Sequence, residues 1–341
     1  MPRIRARWFT LALVLAIRID AQVERIDLKS FGYSLPPTKP VRPQWESLGA
    51  DLRSRPIAIF PDDNVLVSFV TGKQPSLILH LINFNRKGEF LNEKKVPTTG
   101  WYENGIYMTG QGNTLVRTAS MLKLYSSNGE VLAEKQLTGD RTRILPIPAG
   151  QAFALLRESE NIEVLDARDL TSSKKCSEMA PIRSVSEHNV LLDVPVSRYP
   201  PVHRLELHEI CGASLFAYEW GELPDSATLL DDTRIALTGP NVVVMSKAVK
   251  LWTDSFKHDV GAGSVSASAN GNTFAVEALH MDAAPKSIRI IVYNSENGKH
   301  LAEVPVEHLP KYAFDFAISP DGKLLAILSD GELRVVPIQL R

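Results

Sequence analysis

Short apolar segments alternate with tight polar turns along most of the chain. The C-terminal stretch "FDFAISPDGKLLAILSDGELRVVPIQLR" contains three apolar segments, separated by turns at Ser319–Lys323 and Asp330–Gly331. Proline fixes φ and glycine accepts a positive φ, so the order Pro-Asp-Gly favours a reverse turn. This stretch therefore predicts three consecutive antiparallel strands.

The same turn signal recurs upstream at a regular spacing, and a second turn, often Asn-Gly, follows most copies of it. A repeat of roughly forty residues is the period of a propeller blade, and an Asn-Gly turn fits a hairpin between two strands. The pattern predicts an all-β fold, a single seven-bladed β-propeller with four strands per blade, with six or eight blades as alternatives. The repeats end their first turn at Asn64, Asn113, Gln151, Asn189, Arg234, Asn272 and Lys323.

The spacing divides the chain into a leader, residues 1–21, and one propeller domain, residues 22–341. Beyond the leader, no run has sustained apolar positions at helical spacing, which argues against helices. We predict blades at about 55–97, 98–137, 138–180, 181–221, 222–256, 257–306 and 307–341.

The last repeat has only three strands, and the segment after the leader offers a fourth. Residues 23–31, "VERIDLKSF", alternate, with Ile26 and Leu28 on one face. Sheets avoid exposed, unpaired edges. We therefore predict that residues 23–31 pair with residues 332–338 and close the ring. The proline-rich segment that follows would cross to the first blade; the alternative is a flexible linker after a disordered N-terminus.

The N-terminus has the features of a secretory signal. Arg3, Arg5 and Arg7 precede an apolar stretch from Trp8 to Ile17 that is too short to span a bilayer. We predict cleavage after Ala21 and a secreted or periplasmic protein without a stable membrane span. A short membrane anchor and a wrongly assigned start are the alternatives.

The charge balance gives no sign of a nucleic-acid partner. The chain has 38 basic and 39 acidic residues, and loss of the leader, with four arginines and one aspartate, gives a net charge of −4. Nucleic-acid binding needs a clustered basic face. We expect no nucleic acid, no cofactor and a monomer.

The stretch "ISPDGKLLAILSDGELRVV" resembles the WD-repeat-like and TolB-type β-propellers of bacterial envelopes, whose blades carry a Ser-Pro-Asp-Gly-Lys turn before a Leu-Ala strand. "FPDDNVLVSF" is a weaker copy. The likeness is strong in the last blade and weak in the middle ones, which lack a regular Gly-His start and Trp-Asp end. The resemblance implies a scaffold rather than a reaction.

No motif for catalysis or metal binding is visible. His203 and His208 are five residues apart, so in a strand they face opposite sides of a sheet. The acidic residues of the turns lack the spacing of a calcium loop and are interpreted as turn-forming residues. We predict no catalytic, cofactor or metal residues, although a Ser-His-Asp group assembled across blades stays open. The acidic turn residues are Asp62, Asp63, Asp231, Asp232 and Asp321.

Two residue types remain as candidates. Cys176 falls on the outer part of the third blade and Cys211 near the last hairpin of the fourth, so they either form a disulfide or stay as two buried thiols. Among the tryptophans, Trp45 and Trp101 precede inner strands, where exposed rings could bind a sugar or a peptide. Packing between blades is the alternative for these and for Trp220 and Trp252.

Three functions follow. The favoured one is an exported, non-catalytic binding or scaffold module for a protein, peptide or glycan. The second is an enzyme, such as a metal-dependent, lactonase-like hydrolase, with its site in the central channel. The third is a purely structural module. Carboxylates and histidines that converge on the innermost strands would favour the enzyme.

Overall fold

Seven four-stranded antiparallel sheets form a ring, which confirms the predicted all-β, seven-bladed propeller. The first strands of adjacent sheets lie against one another around the centre. The computed structural model describes residues 23–33, 55–99, 104–118, 120–137, 142–147, 150–157, 161–198, 201–220, 224, 226–247, 249–256, 260–280, 288–306 and 315–339.

Each sheet is numbered as a blade in chain order, with its strands running from the centre outward. Blade 1 contains β2 (Ile57–Ile59), β3 (Val65–Lys73), β4 (Ser76–Phe84) and β5 (Phe90–Thr98). Blade 2 contains β6 (Gly105–Met108), β7 (Thr114–Arg117), β8 (Met121–Tyr125) and β9 (Val131–Gln136). Blade 3 contains β10 (Arg143–Pro146), β11 (Ala152–Arg157), β12 (Asn161–Asp166) and β13 (Ser172–Ser177).

The remaining blades follow the same order. Blade 4 contains β14 (Ile182–Val185), β15 (Asn189–Arg198), β16 (Pro201–Glu209) and β17 (Ser214–Trp220). Blade 5 contains β18 (Ser226–Leu229), β19 (Arg234–Thr238), β20 (Asn241–Ser246) and β21 (Val249–Ser255). Blade 6 contains β22 (Val260–Ala267), β23 (Thr273–His280), β24 (Ile288–Asn294) and β25 (His300–Val306). Blade 7 contains β26 (Phe316–Ile318), β27 (Leu324–Ser329) and β28 (Glu332–Pro337), with β1 (Glu24–Asp27) outermost.

The N-terminal strand closes the ring, as predicted, but it is shorter than residues 23–31. β1 pairs antiparallel with β28, with Ile26 opposite Leu333, and then the chain leaves the sheet. Residues Leu28–Phe31 form a 3-10 helix because the Asp27 side chain accepts a hydrogen bond from Lys29 N at 3.0 Å, and Gly32, at φ 87°, ends it. The 3-10 helix, which Asp27 caps, thus takes the place of the second half of the predicted strand.

Short polar side chains shape the first turn of several blades, among them blades 5, 6 and 7. In blade 7, Ser319 Oγ accepts from the backbone N–H groups of Lys323 and Leu324, each at 2.9 Å. Asp321 Oδ1 accepts from Lys323 N at 3.0 Å, and Gly322 has a φ of 77°. These bonds give Asp321 the turn-forming role inferred from its position after proline.

The core lies between blades, because both faces of each sheet are covered by its neighbours. One cluster joins blades 7 and 1 through Leu333, Val335, Val67 and Phe84, together with Leu28 from the N-terminal 3-10 helix. Close to the axis, polar bonds also cross between blades: Leu229 N donates to Ser184 Oγ at 2.9 Å. Burial between blades is the principal source of stability in such a ring.

Candidate functional site

The central channel is the usual place to look for chemistry in a ring of blades. The seven described innermost strands contain no Asp, Glu, His or Cys. The charged residues among them are Arg143 and Arg183. Arg143 Nη2 donates to Ile182 O at 2.9 Å, and Arg183 forms a buried ion pair with Asp193 of β15. Both arginines are thus used in holding strands together.

A polar cluster lies on the turn face, defined as the end of the ring that carries the first turn of each blade. It joins the first turns of blades 4 and 5. Asp232 Oδ1 accepts from Ser186 Oγ at 2.6 Å and from His188 N at 3.1 Å, and Asp232 Oδ2 lies 2.8 Å from His188 Nδ1. The His188 side chain is 67% exposed.

The electrostatics of this cluster follow from its bonds. The hydrogen bond to Asp232 raises the pKa of His188 above its usual value. Burial alone would raise the pKa of Asp232, but the bonds from Ser186 and His188 outweigh it and lower that pKa. The carboxylate accepts from both the serine and the histidine, so this is not a nucleophile–base relay, in which the histidine would contact the hydroxyl. The hydrogen bonds of this cluster hold the first turns of blades 4 and 5 together.

The next turn on the same face is held by an arginine. Arg234 Nε donates to Asp231 Oδ2 at 2.5 Å within blade 5, and its Nη1 donates to Ser295 Oγ of blade 6 at 2.6 Å. Its Nη2 donates to Asn272 Oδ1 at 3.1 Å. Asp231, predicted as a turn residue, therefore also positions a link between blades.

Two carboxylates approach each other where blade 7 meets blade 1. Burial, followed by the nearby charge of Asp321, raises the pKa of Asp63, although Arg86 and Lys323 work against the shift. Burial also opposes the charged form of Asp321, but hydrogen bonds from Lys323 and Ser319 outweigh it and lower the pKa of Asp321. The turn face therefore carries both signs of charge in this sector.

Farther out, the last strand of a blade contacts the last hairpin of the next blade. Between blades 3 and 4, this contact consists of Cys176 of β13 and Cys211 of the β16–β17 turn, which are bonded to each other with a Cα–Cα distance of 5.7 Å. Glu178 Oε1 accepts from Cys211 N at 3.1 Å. The two cysteines thus lie at the outer rim, in the adjacent blades to which the sequence assigned them.

The equivalent contact between blades 5 and 6 is aromatic. Trp252 of β21 stacks on Tyr293 at 5.5 Å between ring centroids, and its Nε1 donates to Ser295 O at 2.8 Å. A Cβ on Gly298 would lie 2.7 Å from the Trp252 ring, so only glycine fits there. This tryptophan packs between blades. Trp45 and Trp101 lie outside the described residues, and Trp220 is described through its backbone in β17 alone.

A hydroxyl, an imidazole and a carboxylate lie in series on one face of blade 1. Thr71 Oγ1 is 2.7 Å from His80 Nε2, and His80 Nδ1 is 2.6 Å from Glu93 Oε1. His80 is 7% exposed and stacks on Phe69 with centroids 4.9 Å apart. This is the connectivity of a hydrolytic triad. No sequence motif marks it, because it depends on the register of β3, β4 and β5.

Of the two histidines of β16, His208 contacts a carboxylate of the same strand. His208 Nε2 lies 2.9 Å from Glu206 Oε2, and Arg204 Nε donates to the other oxygen of that carboxylate at 2.7 Å. His203 is described through its backbone, which pairs with Pro195 and Trp220. Among the described residues, one set of three metal-type ligands comes together: Cys176, Glu178 and Cys211.

In the described part of the chain, no helix has the length and apolar character needed to cross a membrane. The predicted leader, residues 1–21, lies outside that part.

The fold is similar to solved WD40-repeat structures. The WD40 repeats of RRP9 align with a TM-score of 0.58 and 10% identity, covering 85% of this chain and 95% of that chain. The structure of U3-55K aligns with a TM-score of 0.57 and 12% identity, covering 84% and 95%. These values show the fold and confirm the resemblance to WD-repeat-like propellers. No family model matches the chain, and none of the curated proteins matches it in sequence.

Proposed function

We propose that the chain is an exported, monomeric binding or scaffold module whose partner, a protein or peptide, docks on the turn face. The observation that carries this is the use of polar groups. The described innermost strands hold no acid or histidine, whereas the turn face presents charged side chains on turns that are cross-linked between blades. A rigid surface with mixed charge can orient a partner without paying to order flexible loops.

Docking on the turn face is tested with photo-crosslinkers. A benzophenone side chain replaces Arg86, 67% exposed on the last hairpin of blade 1, and in a second variant His188. The control replaces Val196, which is 52% exposed near the C-terminal end of β15, at the end of the ring opposite the turn face. In extracts of the native source, we expect the same crosslinked band from both turn-face variants and none from the control. Equal crosslinking yields from all three positions would contradict docking on the turn face. A crosslinked glycan would contradict a protein or peptide partner.

Export and the state of the cysteines are tested on the native protein. N-terminal sequencing should start at Gln22, and mass spectrometry without reduction should find the peptides of Cys176 and Cys211 joined. A chain that retains Met1 in the cytoplasm, with both thiols open to alkylation, would contradict the compartment. Light scattering during gel filtration should give the mass of one chain.

A second function, hydrolysis of an activated ester, is favoured by the series Thr71–His80–Glu93. Here His80 would accept the hydroxyl proton of Thr71 while Glu93 holds the imidazole. The test is p-nitrophenyl acetate turnover by the parent, Thr71→Val and Thr71→Ser. Turnover that falls at least about a hundredfold in the valine variant and returns with serine supports the enzyme. Equal turnover by all three proteins would contradict hydrolysis by this series and leave it as a buried hydrogen-bond network. The lactonase-like alternative gains no support from the described channel strands.

A further inference from the structure

The disulfide of the outer rim lies beside a carboxylate that is already oriented toward it. Glu178 Oε1 is 3.5 Å from Cys176 Sγ and accepts a hydrogen bond from Cys211 N at 3.1 Å. One ligand atom from each of the three residues lies within 4.8 Å of the others. Cys176 and Glu178 are half-buried and Cys211 is exposed. The cluster is therefore accessible from solvent.

One of these distances already equals the separation of two ligands in a zinc site. Zinc binds thiolate at about 2.3 Å and carboxylate at about 2.0 Å in a tetrahedron, which places sulfur and oxygen roughly 3.5 Å apart and two sulfurs roughly 3.8 Å apart. Glu178 Oε1 and Cys176 Sγ are thus already as far apart as two ligands of one zinc ion. Only the two sulfurs have to separate, and rotation about the χ1 angles of the cysteines can supply that movement across a Cα–Cα distance of 5.7 Å.

We propose that Cys176, Glu178 and Cys211 form a zinc site when their disulfide is reduced. A dithiol gives two electrons and two protons to the S–S bond, which breaks into two thiols while the dithiol closes to its own disulfide. Zinc then binds both sulfurs and the carboxylate, and the two thiol protons pass to solvent. Water takes the fourth position, because Cys211 is exposed. The disulfide and the metal exclude each other, and each joins blade 3 to blade 4.

The donor set also predicts which metals bind. Two thiolates and one carboxylate favour zinc and cobalt over the hard cations calcium and magnesium, which prefer sites made of oxygen alone. Cobalt(II) is therefore a suitable probe, because thiolate ligands give it intense absorption in the near ultraviolet and tetrahedral coordination gives it bands in the visible.

The experiment uses the purified full chain in two states, oxidised and reduced with a water-soluble phosphine that is removed before the metal is added. Cobalt(II) is titrated into both and then displaced with zinc. We expect one cobalt per chain, with the thiolate absorption, in the reduced state and no absorption in the oxidised state. Reduced protein that binds cobalt no more tightly than Cys176→Ser/Cys211→Ser would overturn the site.

The role of the carboxylate is tested with a matched pair. Glu178→Gln should bind cobalt at least about tenfold more weakly, since even outer partners of metal ligands are worth 10–100-fold in affinity. Glu209→Gln, next to the same hairpin but outside the ligand set, should bind like the parent. If Glu178→Gln also binds like the parent, the three-ligand site is wrong.

A further variant removes the dependence on reduction. Cys211→His cannot form the disulfide, and histidine tolerates the positive φ of 61° at this position better than most residues. It should bind cobalt in the absence of any reductant, through one thiolate, one imidazole and one carboxylate. If neither this variant nor the reduced parent binds cobalt, the proposal fails even where reduction weakens the fold.

Discussion

Truncation of Leu28 offers a direct test of how the ring is closed. This leucine follows β1 immediately and is fully buried in the cluster between blades 7 and 1. Its N–H donates to Gly331 O at 2.8 Å, and Tyr33 N donates to its carbonyl oxygen at 3.1 Å, so its backbone is fixed on both sides. Leu28→Ala leaves these bonds in place and removes only buried side-chain contacts.

The expected loss can be worked from burial. A fully buried leucine replaced by alanine costs about 2–5 kcal/mol, and the high end applies where the site cannot collapse. Because the backbone of Leu28 is held by Gly331 and Tyr33, we expect a loss of about 3 kcal/mol or more. For a domain of this size, each kcal/mol lowers the melting temperature by about 2 °C, so the midpoint should fall by about 6 °C.

The assay is thermal unfolding followed by circular dichroism, with urea unfolding as a check. Leu91→Ala is the matched control, because Leu91 is 44% exposed on the outer strand β5 and should cost less than about 0.5 kcal/mol. Deletion of residues 22–31 should cause aggregation or a larger fall in the melting temperature, and Ile26→Asp a milder one. If Leu28→Ala and the deletion melt like the parent and stay monomeric, the N-terminal segment does not hold the ring together.

Two further predictions concern the turn face. Because the pKa of His188 is raised in the folded chain and that of Asp232 is lowered, their contact contributes fully between the unfolded pKa values of aspartate and histidine, about 4 and 6.5. Its contribution is lost as the pH rises through the folded pKa of His188. His188→Gln should therefore lower the melting temperature at pH 5.5 and have little effect at pH 9. An effect that grows toward pH 9 would contradict a stabilising contact between charged His188 and Asp232. Gly271→Ala should destabilise strongly, since its Cβ would lie 2.2 Å from Leu230 O, whereas Gly112→Ala, also at positive φ but with nothing within 4 Å, should cost about 1 kcal/mol; similar melting temperatures for the two variants would refute this difference.

The parts of the fold that depend on local chemistry could be predicted from the sequence. A turn such as Ser319–Lys323 is stabilised by hydrogen bonds among its own side chains and backbone, so its residues alone predict the turn. The missing fourth strand of the last blade could also be inferred, because an open edge has a physical cost. The exact end of that strand could not be predicted, because the hydrogen bond that Lys29 N donates to Asp27 Oδ1 starts a 3-10 helix where the alternating pattern continues.

The polar clusters depend on contacts that no local pattern specifies. Ser186 and Asp232 come from different blades and meet only because successive turns pack side by side. The series Thr71, His80 and Glu93 requires the register of three strands, and a shift of one residue would turn its side chains to opposite faces. Hydroxyl, imidazole and carboxylate groups are too common for their spacing along the chain to reveal such contacts.

One recurring contact explains why the blades share a shape but not a motif. In each of three interfaces, the last strand of one blade meets the third strand or last hairpin of the next, and different chemistry fills the same place. Lys94 lies over the Tyr125 ring at 3.8 Å between blades 1 and 2. A disulfide occupies the position between blades 3 and 4, and Trp252 stacked on Tyr293 occupies it between blades 5 and 6.

The residues at each interface have to be complementary only to each other. Nothing then requires the same residues to recur in every blade, because packing selects for complementary pairs. The turns, in contrast, also need side chains that shape their own backbone, as Ser319 and Asp321 do in blade 7, so similar turn residues recur along the chain.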